Sequence, residues 1–416
     1  MSYHALFATL VTFTAFVSYI NDRYVKLPKT MGLTIISIAI AISAYFTSHL
    51  FEEITHIHPL LNLVTTVDFK TAVLDVMLGY LLFASGLHVN SIELKKEITP
   101  VVYLASLGVV ISTFITGYLL YWVAGLLKLP FSLGECLIFG AIISPTDAIA
   151  VLGTFKTIKN PPQRLKTLIT GEGLFNDAGA ILMLVILVQV VYSGVHVTAL
   201  DVIESLVVET GGGILFGVIV GVIASRFLKH AKSPEVATLM SVAASSSGYV
   251  LANDLHVSGV ITMVVAGLII GGYNKKSHFP PETTLVLTNF WELIDEVLNA
   301  FLFVLIGLMT LNLHIDSTAL ILGGFGIFIV FIARLLSIWA PDFVLSLLLW
   351  RKKSAFSCSK STLLAWGGIR GGLSIALALS VEAFPDQLVA VTYVVVIASI
   401  LIQGGTFKWA ISKLAK

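Results

Sequence analysis

Thirteen apolar stretches, separated by short polar connections, set the limits on what this chain can fold into. They cover residues 3–20, 30–50, 69–88, 100–126, 133–155, 168–192, 203–227, 235–252, 256–273, 286–312, 318–349, 361–382 and 389–412. About 20 apolar residues in a helix cross the hydrocarbon core of a bilayer. Composition agrees: 57% of residues are hydrophobic and only 12% charged, against about 25% charged in an average soluble domain. The expected fold class is therefore an all-α polytopic membrane protein. A net charge of +1 implies no nucleic-acid partner. No basic segment precedes the first stretch, which reads as a retained helix and not a cleaved signal.

The basic residues test this count independently. Odd-numbered connections carry Arg23, Lys26 and Lys29; Lys95 and Lys96; Lys156, Lys159, Arg164 and Lys166; Arg226, Lys229 and Lys232; Lys275 and Lys276; and Arg351, Lys352, Lys353 and Lys360. The tail carries Lys408, Lys413 and Lys416, whereas even connections hold only Lys70 and Lys128. The positive-inside rule then places the odd connections and the C-terminus in the cytoplasm and the N-terminus outside. An even number of spans breaks this alternation. Cys136 and Cys358 fall on opposite sides of that topology, which argues against a disulfide between them.

Two cations remain, Arg334 and Arg370, and both lie inside apolar stretches. Charges within a membrane are rare, face the bundle interior and mark function. Three acids can answer them: Asp147 in the fifth stretch, and Glu172 and Asp177 in the sixth. In "AIISPTDAIAV" (141–151), Pro145 removes a backbone donor and disfavours helical geometry at Ser144. A proline kink alone is ordinary, but it does not require the nearby Asp147. In "LLAWGGIRGGLSIAL" (363–377), two glycine pairs flank Arg370. Small residues serve close helix packing, yet glycine pairs around a charge fit a helix break better. Two interrupted, oppositely directed helices predict inverted repeats with a substrate site at the midplane. Asp147 is expected near half-helix N-termini and Arg370 near a C-terminal end, where they balance the charges of the break.

The stretch "ITGEGLFNDAGAIL" (169–182) places Glu172 and Asn176 on one helical face, with Asp177 turned partly to a neighbour. If Arg334 neutralises Glu172 and Arg370 neutralises Asp147, Asp177 is left without a base. A buried, unpaired carboxylate must protonate or bind a cation.

Other features are weaker. "THIHP" (55–59) has two histidines at metal-ligand spacing but no third ligand, and reads as a solvated loop. "FWELIDEVLNAF" (290–301) brings three acids into the tenth stretch, as a hydrated helix end or a cation-attracting funnel. Asp75 is placed to line a cavity; Glu204 and Glu209 fall near an outer helix end; Asn253 and Asp254 suit an outer turn.

Together, "SPTDAIAV", "GEGLFNDAGAIL", "FLFVLIGL", "IARLLSIW" and "WGGIRGGLSIAL" resemble the monovalent cation/proton antiporters, in the branch of bacterial NhaP-type and animal sodium/proton exchangers. The resemblance runs through essentially all the stretches in order. It implies a thirteen-helix antiporter fold with two discontinuous crossing helices, built as a homodimer in the lipid bilayer. Residues 1–98 would then hold dimerisation-domain helices, 196–315 the linker and further dimerisation-domain helices, and 99–195 and 316–416 the two repeats of the core. Asp177 looks like the carboxylate that carries the proton or cation, and Asn176 like the asparagine associated with electroneutral exchange. Ser144, Thr146 and Asp147 look like the unwound, cation-binding segment, Glu172 and Arg334 like an intramembrane ion pair, and Arg370 like the arginine at the second break.

The chain departs from the pattern at two places. Ala84 in "LLFASGLHV" stands where many relatives have an acid, with Ser85 beside it, and Gly173 stands where many have serine. Both changes subtract oxygen ligands and leave the choice between Na⁺ and K⁺ open. The expected activity is electroneutral exchange of Na⁺, K⁺ or Li⁺ for H⁺ in a bacterial inner membrane, without a cofactor. The rival is a cation channel or proton-gated cation conductance, but no filter-like segment is evident. A membrane hydrolase would need a nucleophile with its base, or a clustered metal site, and neither is evident.

Overall fold

The computed structural model describes residues 3–50, 69–155, 158, 161–192, 199–275, 278–311, 313, 315–348 and 358–414. The "THIHP" loop and the basic residues Arg351, Lys352 and Lys353 lie outside the described residues. Among those described, the regular structure is entirely helical, and every one of the thirteen stretches carries helix.

Among the described residues, eight helices are long and apolar enough to cross a membrane: His4–Val25, Thr71–His88, Ile98–Leu126, Gln163–Tyr192, Glu204–His230, Pro281–Leu311, Ser317–Pro341 and Asp386–Leu414. Of the remaining five stretches, the second is helical over Lys29–Leu50, and the other four depart from that standard for visible reasons. Gly259–Lys275 is a shorter apolar helix. Pro234–Asp254 is diluted by the serine run 245–247. The fifth and twelfth stretches are each broken in the middle, into Leu133–Ile142 and Ala148–Phe155, and into Cys358–Trp366 and Gly372–Ser380.

Local chemistry fixes where these helices start and how closely they pack. Ser132 and Glu135 form a reciprocal capping box: Glu135 N donates to Ser132 Oγ (3.2 Å) and Ser132 N donates to Glu135 Oε2 (2.7 Å). The entry of the first broken stretch is thereby fixed. Helix Leu78–His88 packs along Gly259–Lys275, where a side-chain carbon on Gly267 would run into the Phe83 carbonyl. Small residues let membrane helices approach at backbone distance, and this approach fixes the wall of helix Leu78–His88 against its neighbour. Helix Gln163–Tyr192 lies against Leu133–Ile142 and Ile98–Ala105, while Pro281–Leu308 packs on Lys29–Leu50 and Leu78–His88. The site lies where these two groups meet at the broken helices.

Candidate functional site

The two breaks lie against each other. Pro145 ends the first half-helix, as its missing N–H requires, and residues 143–147 run unwound before helix resumes at Ala148. Asp147 N donates to the Ile369 carbonyl at 2.6 Å, tying one break to the other. Unpaired backbone inside a membrane must find protein or cavity partners, and each break supplies them to the other.

Charge follows the helix ends. Asp147 Oδ1 accepts from Ile149 N at 2.9 Å and Ala150 N at 3.1 Å, so the carboxylate caps the half-helix Ala148–Phe155. Its Oδ2 lies against Gly371, at the start of the other half-helix, Gly372–Ser380. One negative group thus faces two positive helix N-termini. Arg370 is buried, and its Nη1 donates to the Ser144 carbonyl and, at 3.0 Å, to the Pro145 carbonyl. These oxygens lie just beyond the C-terminal end of Leu133–Ile142, where a cation is favoured. Asp147 thus sits at half-helix N-termini and Arg370 beyond a C-terminal end, where the breaks lead one to expect them. Direct neutralisation of Asp147 by Arg370 is corrected, since no ion pair joins the two among the described residues.

Gly371 makes this approach possible. A side-chain carbon there would lie 2.5 Å from Asp147 Oδ2 and 2.8 Å from Asp147 Cβ. Gly371→Ala is expected to cost about 1–3 kcal/mol, the range for overpacking, and to slow exchange. Gly153→Ala, on the half-helix Ala148–Phe155 with nothing near the added carbon, serves as the control. Thermal unfolding of the two variants checks the difference, and equal stability would mean that the break does not need its glycine.

Glu172 and Arg334 meet as a buried, two-pronged pair. Arg334 Nη1 donates to Glu172 Oε1, and Nη2 donates to Oε2 at 2.6 Å. Asn176 Nδ2 donates to Thr146 Oγ1 (3.1 Å) and the Ser144 carbonyl (3.4 Å), bracing the unwound segment against helix Gln163–Tyr192.

Asp177 faces elsewhere. Together with Thr146, Asp147, Ser85, Thr170 and Asn299 it lines a cavity of about 90 Å³. Among the described residues its carboxylate has no hydrogen bond or ion pair. Ser144 and Asn176 are not on that wall. The Ser144 hydroxyl donates back to the Ala141 carbonyl, and its own carbonyl is taken by Arg370 and Asn176. Ser85 does reach the cavity, whereas Ala84 is fully buried away from it. A carbon added to Gly173 would meet Ala148 Cβ at 2.8 Å, so the space for a serine is already filled.

Two residues of the site are not legible in the sequence. Ser399 Oγ accepts from Arg370 N at 2.9 Å and donates to Gln403, where the last stretch widens over Ser399–Gly404. A lone serine in an apolar helix gives no signal of that. Asn299 reaches the cavity from the acidic segment 290–301, where an uncharged amide among acids gives no signal of its own.

Residues 11–413 match the family model described as "Sodium/hydrogen exchanger, transmembrane". The chain is 36% identical to the Na⁺/H⁺ antiporter NhaP of Pseudomonas aeruginosa, over 96% of this chain and 94% of that one. It is 31% identical to the Na⁺/H⁺ antiporter ApNhaP of Aphanothece halophytica, over 96% of this chain and 72% of that one. The solved sodium proton antiporter MjNhaP1 of Methanocaldococcus jannaschii superposes with a TM-score of 0.74 at 19% identity, covering 100% of this chain and 99% of that one. That likeness establishes a shared fold.

Proposed function

We propose, for a chain that belongs to the transmembrane sodium/hydrogen exchanger family, electroneutral exchange of Na⁺ for H⁺ by alternating access, with K⁺ and Li⁺ as candidate substrates. One observation carries the reading: of the carboxylates on the cavity wall, Asp177 is the one that has no hydrogen bond or ion pair among the described residues. Glu172 is neutralised by Arg334, and Asp147 is held by the half-helix Ala148–Phe155. Asp177 then takes either a proton or a monovalent cation, never both, and Thr146 and Ser85 stand by as oxygen ligands. The empty, ionised site crosses poorly, because an uncompensated charge in low dielectric is costly. That cost is the coupling. The reading includes thirteen crossings with inverted repeats, a homodimer in a plasma membrane, and a cytoplasmic C-terminus.

Proton flux in proteoliposomes, driven in turn by gradients of Na⁺, K⁺ and Li⁺, tests the activity. Absence of ion-driven flux with all three would overturn it. Charge counting gives a second expectation. One site carries one charge in each direction, so an imposed membrane potential should not drive transport. Cation and proton compete for one group, so apparent cation affinity should fall as pH falls and the proton occupies the carboxylate. A voltage-driven, ion-dependent flux would mean that a second carboxylate titrates, with Asp147 the first suspect.

A further inference from the structure

Resting on that reading of Asp177, we infer that Asn299 supplies a further oxygen to the cation and sets its selectivity, held in orientation by Asp295. Asn299 is 6% exposed and lines the same cavity as Asp177, from the separate helix Pro281–Leu308. Its Nδ2 donates to the Asp295 carbonyl at 2.7 Å and to the Asp295 carboxylate Oδ1 at 3.1 Å.

These two contacts settle which way the amide points. A carbonyl oxygen and a carboxylate oxygen can only accept, so the atom facing them must be the amide nitrogen. The reverse orientation would set oxygen against two oxygens. The side-chain Oδ1 is therefore turned away from Asp295. Nothing among the described residues hydrogen-bonds it, and it is not sealed in protein. An amide oxygen with its nitrogen already engaged by an anion is a better acceptor than a free one, because hydrogen bonds polarise one another.

The placement answers a shortage. Ala84 and Gly173 contribute no oxygen, and Gly173 has no room for one. Hard monovalent cations are held by oxygen, and the oxygens around the cavity decide how much hydration the ion surrenders. Asn299 brings an uncharged ligand, so it changes which ion fits without adding a titrating group. Asp295 does not line the cavity; it acts through Asn299 as a positioning residue. The Lys29–Glu296 contact, at 3.3 Å and exposed on both sides, is a separate feature of the same helix.

The test measures exchange in proteoliposomes of the full chain against Na⁺, Li⁺ and K⁺. Asn299→Leu keeps the branched shape and removes the oxygen. It should raise the apparent KM for Na⁺ about tenfold, the scale of one lost polar contact, with Vmax within about twofold and a changed Na⁺/K⁺ ratio. Asp295→Leu should shift KM and ion preference the same way by less. Asp295→Asn, which keeps an acceptor oxygen, should restore most of the Na⁺ affinity. Combining Asp295→Leu with Asn299→Leu should add nothing to Asn299→Leu alone. Asn299→Ala, which also removes the oxygen, gives the same test if the leucine variant does not assemble. Unchanged KM and ion preference in both Asn299 variants overturns the inference, as does full additivity. Either failure leaves the Asp177 reading intact, because that reading falls only if Asp177→Asn still exchanges.

Discussion

Replacing Asp177 by asparagine is expected to abolish cation-driven proton movement, to the level of protein-free vesicles, while the protein stays folded. Asparagine has nearly the same shape but neither ionises nor carries a proton. Nothing structural depends on the carboxylate, since it has no hydrogen-bond or ion-pair partner among the described residues. Thermal stability should be unchanged or higher, because removing an uncompensated charge from a membrane interior relieves its desolvation cost. This pairing of results is diagnostic. A structural acid would lose stability on neutralisation, whereas a carrier loses transport alone. Ion-driven proton flux retained in Asp177→Asn would move the carrier role to another residue.

Some parts of this arrangement are visible in the sequence, for physical reasons. Pro145 and the paired glycines around Arg370 mark the breaks, because each alters what backbone geometry a helix can hold. Glu172 and Arg334 are legible as partners because two buried charges in an apolar chain have few alternatives. Asp177 is legible by subtraction. The placement of Asp147 at helix N-termini and of Arg370 near a C-terminal end is legible from the breaks, because helix ends carry partial charges. That no ion pair joins the two is not legible, because side-chain counting omits carbonyls and amides. Ser144 illustrates the same limit. Its oxygens sit in a segment that must be unwound, yet the sequence does not show that Arg370 and Asn176 use its carbonyl first. Asn299 becomes readable only when the cavity shows which face of Pro281–Leu308 points inward.

Breaking the Glu172–Arg334 pair should produce the largest loss of stability among these changes. Both side chains are buried, and the guanidinium engages both carboxylate oxygens. The pair joins helix Gln163–Tyr192 to Ser317–Leu348, across 162 residues of sequence. Gly368 presses on it from the second break, since a side-chain carbon there would lie 2.7 Å from Arg334 Nε. Removing one partner leaves the other charge buried and alone, at a cost of about 3–5 kcal/mol. Glu172→Ala and Arg334→Ala should therefore each unfold at markedly lower temperature in detergent. The double variant should recover part of that loss, because neither orphaned charge remains. Recovery is the discriminating result. Additive losses would mean that each residue is held by other groups and that the pair contributes no coupling. Transport should follow stability here, unlike at Asp177. Where the double variant folds it should exchange at a measurable rate, because Asp177 and its cavity wall contain neither Glu172 nor Arg334. A folded double variant with no exchange would give the pair a direct part in the transport cycle, beyond holding the two helices together.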